Sequence, residues 1–106
     1  MIKKKLKLPH PGRYVRRAIQ DRGISVYKVA KLCGIHQSTL NMVVNEKRGI
    51  SMDVALRLAK LFGVRPQLFM DLQVSYDLRI REQEISKDDS YNGIQNLELV
   101  ESQGSV

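Results

Sequence analysis

The chain has 106 residues, with 18 Lys/Arg against 11 Asp/Glu, a formal net charge of +7 and a pI near 9.8. That length suits one domain, and 42% apolar residues suffice for a small core, which argues against disorder throughout. Cys33 stands alone, no Cys/His set has zinc spacing, and no run of 18 apolar residues is present, so disulfide scaffolds, zinc modules and membrane-spanning helices are excluded. The N-terminal lysines lack the apolar stretch of a secretory signal, and the expectation is a soluble, cytoplasmic protein with no membrane partner.

The charge is divided along the chain. Residues 1–65 hold 15 Lys/Arg against 3 Asp/Glu, a net of +12, while residues 66–106 hold 3 against 8, a net of −5. A basic body with an acidic tail points to a polyanionic partner for the body.

Residues 1–8, MIKKKLKL, form a basic arm; Ile2, Leu6 and Leu8 alternate as in a half-buried strand, and a solvated, flexible charge run is an equal reading. Pro9-His10-Pro11-Gly12 separates the arm from the body. The spacing of Tyr14, Val15, Ala18 and Ile19 predicts a first helix with those residues inward, closed by Gly23. Ser25 caps a second helix with Val29, Ala30 and Cys33 inward, and Gly34 ends it. A third helix is predicted over 37–45, with Leu40 and Val43 inward. Ser51 caps a fourth, with Met52, Ala55, Leu56, Ala59 and Phe62 on its inner face and Gly63 as its stop. Pro66 opens a fifth, whose inner stripe is Leu68, Phe69, Leu72 and Tyr76 and which runs to about Glu84. No strand is expected in the body. Residues 85–106 are polar and acidic and are read as a disordered tail or as a segment that orders on a partner, with Leu97 and Leu99 alternating like a short strand.

The informative segment is 26–45. Two short helices meet at a glycine, with Val29, Ala30 and Cys33 before it and Ile35, Leu40 and Val43 after it. In a helix-turn-helix each has a reason. Ala30 is small where the helices cross, and Gly34 takes a positive φ that costs other residues energy. Ile35 plugs the turn, and Leu40 and Val43 anchor the second helix while its other side stays free. A small helical bundle with a chance glycine turn is the competing reading.

If the motif holds, the start of the third helix enters the major groove. The outward residues are His36, Gln37, Ser38, Asn41 and Met42, with Asn45 a turn further on. Gln37 and Asn41 suit paired hydrogen bonds to adenine, and Met42 suits a thymine methyl. Tyr27, Lys28, Thr39, Lys47 and Arg48 are candidates for phosphate. No Ser/His/Asp set, acid pair or phosphate-cradling glycine loop is present, so nothing argues for catalysis, a metal or a cofactor. Cys33 reads as an apolar filler.

His10-Pro11-Gly12, then the helix-turn-helix, Gly49-Ile50-Ser51, Ala55-Leu56-Arg57-Leu58-Ala59-Lys60, Leu72-Gln73 and Tyr76-Asp77-Leu78 together resemble the HigA-type addiction-module antitoxins, a branch of the Xre/Cro-like repressors with some members labelled virulence-associated protein I. The resemblance covers about residues 9–84. It implies an all-α, five-helix, lambda-repressor-like domain, usually dimeric, that binds a palindromic operator in double-stranded DNA and a cognate mRNA-cleaving toxin. It places the recognition positions on Gln37, Ser38, Thr39 and Asn41. Many members have Glu where this chain has Arg13 and Gly where it has Glu46, which puts the exit of the third helix in question. A phage-repressor-type regulator without a toxin is the alternative, and a pure protein-interaction module a third reading. Met70, Val74 and Ile80, spare apolar residues on the fifth helix, are the expected homodimer surface. The acidic tail is a candidate to pair with a basic toxin, and the arm with phosphate.

Overall fold

The computed structural model describes residues 9–102. The basic arm, residues 1–8, and residues 103–106 lie outside the described residues, so the strand-like alternation in the arm does too.

The described residues form seven helices and no strand: α1 (Pro11–Asp21), α2 (Val26–Cys33), α3 (Gln37–Val44), α4 (Met52–Phe62), α5 (Pro66–Ile85), α6 (Asp89–Asn92) and α7 (Leu97–Ser102). The first five match the expected helices, and their ends have local causes. The side chains of Ser25 and Ser51 accept from the backbone N–H groups of Lys28 and Val54, which the helix itself leaves unpaired. Gly34 closes α2 at φ 69°, a left-handed conformation only glycine adopts without penalty.

The exit of α3 has the same geometry without the glycine. The N–H of Lys47 bonds to the carbonyl of Met42 and that of Glu46 to Val43. This paired closure needs a left-handed residue at Glu46, which takes φ 62°. The helix exit is therefore the one a glycine would give, made by a residue for which it is strained.

Val15, Ile19, Val29, Ala30, Leu40, Val43, Ala55, Leu58 and Phe69 are buried in one cluster shared by α1–α5. Three expected inner faces need correction. On α1, Tyr14 is exposed while Val15 and Ile19 are buried. On α4, Met52 and Leu56 face out, and Val54 and Leu58 are buried beside Ala55 and Ala59. On α5, Leu68 is exposed and Phe69 alone is fully buried, with Leu72 and Tyr76 half-buried. The cause is shared: the apolar residues of these helices cover more of the circumference than one neighbour can bury, so the packing partner selects the arc.

The tail also differs from expectation. It carries α6 and α7 in place of disorder and a short strand, and neither helix has a buried residue. Local caps start them: the Asp88 carboxylate accepts from the N–H of Ser90, and the Asn96 side-chain carbonyl accepts from the N–H of Glu98.

Residues far apart in sequence lock the body. The His10 side chain caps α1, its Nδ1 accepting from the N–H of Gly12 at 2.9 Å, and its ring meets Tyr76 of α5 edge-on at 5.0 Å. A side chain at Gly12 would collide with the carbonyl oxygen of Val43, so glycine lets α1 lie directly on α3. Gln73 of α5 accepts from the N–H of Ile50 at 2.6 Å and donates to Asp77 at 2.9 Å. The α3–α4 loop is thereby tied to α5.

Candidate nucleic-acid interface

α2 and α3 meet at Gly34 in the expected helix-turn-helix. Val29, Ala30, Ile35, Leu40 and Val43 are buried and Cys33 is half-buried, so six side chains hold the pair on the body as the spacing required. Burial raises the Cys33 thiol above its ordinary value, with Arg57 opposing the shift, so the thiol stays protonated and acts as packing. Arg57 also braces the turn from α4: its Nη1 donates to the Cys33 carbonyl at 2.9 Å and its Nε to Asp53 at 3.0 Å.

The opposite side of α3 is open. His36, Gln37, Ser38, Met42 and Asn45 are exposed, and Thr39 and Asn41 are half-buried. His36 makes no side-chain cap, so the first-turn N–H groups of α3 have no capping side chain. The side chains of Gln37, Ser38 and Asn41 form no hydrogen bond with the described residues. The residues beside them are held. Arg48 donates to the Thr39 hydroxyl at 3.5 Å, and Arg16 donates to the Asn45 side-chain carbonyl at 2.9 Å. Tyr27 and Lys28 at the start of α2, and Lys47 and Arg48 after α3, are exposed. The result is a set of unpaired amide and hydroxyl groups with the guanidinium groups of Arg16 and Arg48 beside them, suited to base edges in the middle and phosphates at the margin.

Sequence spacing does not point to Arg16 at this surface. It lies 29 residues from Asn45, and only the outward Arg13-Arg16-Arg17 run on α1 hints at a basic surface there. The expected dimer residues are spread out. Val74 is exposed, Met70 is half-buried against the core, and Ile80 is half-buried about a third of a turn around α5 from Val74. Leu78, one turn beyond Val74, is exposed and continues its stripe. Among the described residues no group of His, Cys, Asp and Glu is placed to hold a metal ion, and no helix is long and apolar enough to cross a membrane.

The comparisons with known proteins agree with this geometry. The helix-turn-helix family model matches residues 15–69. Virulence-associated protein I of Dichelobacter nodosus is 38% identical over 76 residues, spanning 71% of this chain and 70% of that protein. The antitoxin HigA of Pseudomonas aeruginosa, solved with the higBA promoter, superposes with a TM-score of 0.77 at 32% identity over 86% of this chain and 99% of that one. The antitoxin GraA in complex with its operator superposes with a TM-score of 0.73 at 31% identity over 92% of this chain and 98% of that one. With its glycine-hinged α2–α3 pair and its His10, Gly12, Gln73 and Tyr76 lock, the chain belongs to the helix-turn-helix family, in the branch of the HigA-type antitoxins and virulence-associated protein I.

Proposed function

We infer that this protein is the antitoxin of a type II toxin–antitoxin module, which represses its own promoter and neutralises a cognate basic, mRNA-cleaving toxin, with no enzymatic activity of its own. The observation that carries the DNA-binding part is the set of unpaired Gln37, Ser38 and Asn41 side chains on the exposed side of α3. In the major groove Gln37 and Asn41 pair with adenine edges, Ser38 adapts to its neighbour, and Met42 meets a thymine methyl. Tyr27, Lys28, Lys47 and Arg48 contact phosphate, with His36, Thr39 and Asn45 at the margins of the footprint. Phosphate neutralisation by a body carrying +12 makes affinity fall steeply with salt.

One such helix reads a short half-site. A two-fold dimer sets two of them about 34 Å apart, one turn of DNA. Met70 and Val74 mark the dimer surface on α5, with Ile80 at its edge; the exposed Leu78 extends the stripe. The operator titration uses DNA from upstream of the gene. Protection of a palindrome there, lost on Gln37→Ala with Asn41→Ala, supports the reading. Equal binding by the double variant overturns it. Co-purification with a small basic neighbour supports the toxin partner; its absence, with operator binding intact, favours the phage-repressor-type regulator.

A further inference from the structure

Gln37, Asn41 and Asn45 are spaced four apart and form one outward row along α3, the last of them being the residue that ends the helix. The first two side chains form no hydrogen bond with the described residues. The third is taken: Nη2 of Arg16 on α1 donates to the Asn45 side-chain carbonyl at 2.9 Å. That partner is neutral, so it holds the guanidinium without cancelling its charge. The ion pairs among the described residues are Arg17–Asp21, Arg57–Asp53 and Arg81–Glu84, and neither Arg16 nor Glu46, the neighbour of Asn45, enters one. The remaining N–H donors of the Arg16 fork have no partner among the described residues.

Seating α1 on α3 does not depend on this contact, because Gly12 already lets α1 lie against the Val43 carbonyl and both Arg16 and Asn45 are exposed. A planar fork with free donors and an uncancelled charge is instead what phosphate oxygens bind. The place along the row points to the same partner. Asn45 stands two steps of four residues beyond Gln37, roughly 12 Å along the helix axis, and the major groove is about 12 Å wide. When the N-terminal end of such a helix meets base edges, its far end stands at the wall of the groove, where the sugar–phosphate backbone runs.

We propose that Arg16 binds a phosphate of the operator and that Asn45 is the positioning residue that holds it there, acting through Arg16 and not on a base. The inference rests on the DNA-binding reading of α3. It adds to that reading a contact from α1 and ends the row of base-facing amides at Asn41.

The test is the salt dependence of binding by the full chain, read by fluorescence anisotropy on the promoter duplex from upstream of the gene and on an unrelated duplex of equal length. Arg16→Gln should weaken binding to both duplexes roughly tenfold near 0.1 M salt and lower the slope of log affinity against log salt by about 0.9, the loss of one phosphate contact. Arg16→Lys should keep the slope. Arg17→Gln removes the same charge from the same helix about 100° around it, and should leave the slope nearly unchanged. Asn45→Ala should weaken binding less than Arg16→Gln, on both duplexes alike, and should add no loss once Arg16→Gln is present. Affinity and slope that survive Arg16→Gln, or an affinity that falls with the slope unchanged, overturn the phosphate contact. An Asn45→Ala loss that is equal in both backgrounds and confined to the promoter duplex means that Asn45 reads a base, and overturns its positioning role. Failure of the unmodified chain to bind either duplex overturns the DNA-binding reading itself.

Discussion

Leu40 and Val43 on the inner side of α3 are fully covered, whereas Gln37, Ser38 and Met42 on its outer side stand in solvent. One eight-residue helix therefore serves two purposes with separate residues. The inner side meets α1 and α2 and holds the helix in place. The outer side contributes little to packing, and its polar groups remain available. Such a division lets the outward residues change without unfolding the protein, while the inner ones cannot.

Leu40→Ala tests the inner side and has the largest expected effect. It should cost about 2–5 kcal/mol in urea denaturation, through lost burial and the cavity left behind. Gln37→Ala and Asn41→Ala test the outer side. Each should cost about 1–3 kcal/mol in operator affinity with the unfolding midpoint unchanged. A matching loss of stability would mean that these side chains pack rather than read.

Gln73→Ala sharpens the comparison from a distance. It leaves the Ile50 N–H without its partner, which should cost about 1–3 kcal/mol in thermal or chemical unfolding. Operator affinity of the folded fraction should change far less. The smallest effect is expected at the exit of α3. Glu46→Gly relieves the left-handed strain and should raise stability by roughly 0.5–1 kcal/mol, the gain being reduced by glycine's greater freedom in the unfolded chain. A loss there would show that the Glu46 side chain has a stabilising contact of its own in solution.

Most of the helix boundaries can be read from the residues because their causes are local. Ser25 and Ser51 cap their helices by accepting from N–H groups three residues on, and Gly34 and Gly63 supply left-handed stops. The open face of α3 is legible for a similar reason: once Leu40 and Val43 are inward, Gln37, Ser38 and Met42 must project elsewhere. The choice between Met52/Leu56 and Val54/Leu58 on α4 is not, since both pairs are apolar and only the positions of α5 and α2 decide between them. Tyr14 and Leu68 escape a sequence reading for the same reason; both line the cleft between α1, the end of α4 and α5.

Within the amino-acid string alone, the number of body helices, their caps, the glycine hinge and the separation of basic from acidic halves were already determined, because each depends on neighbours within about one helical turn or on simple charge. The tertiary structure alone decided that His10 meets Tyr76, that Gln73 ties down Ile50 and that Arg16 reaches Asn45. Those contacts join residues 23 to 66 positions apart, and such distances close only when the shared core brings the helices together.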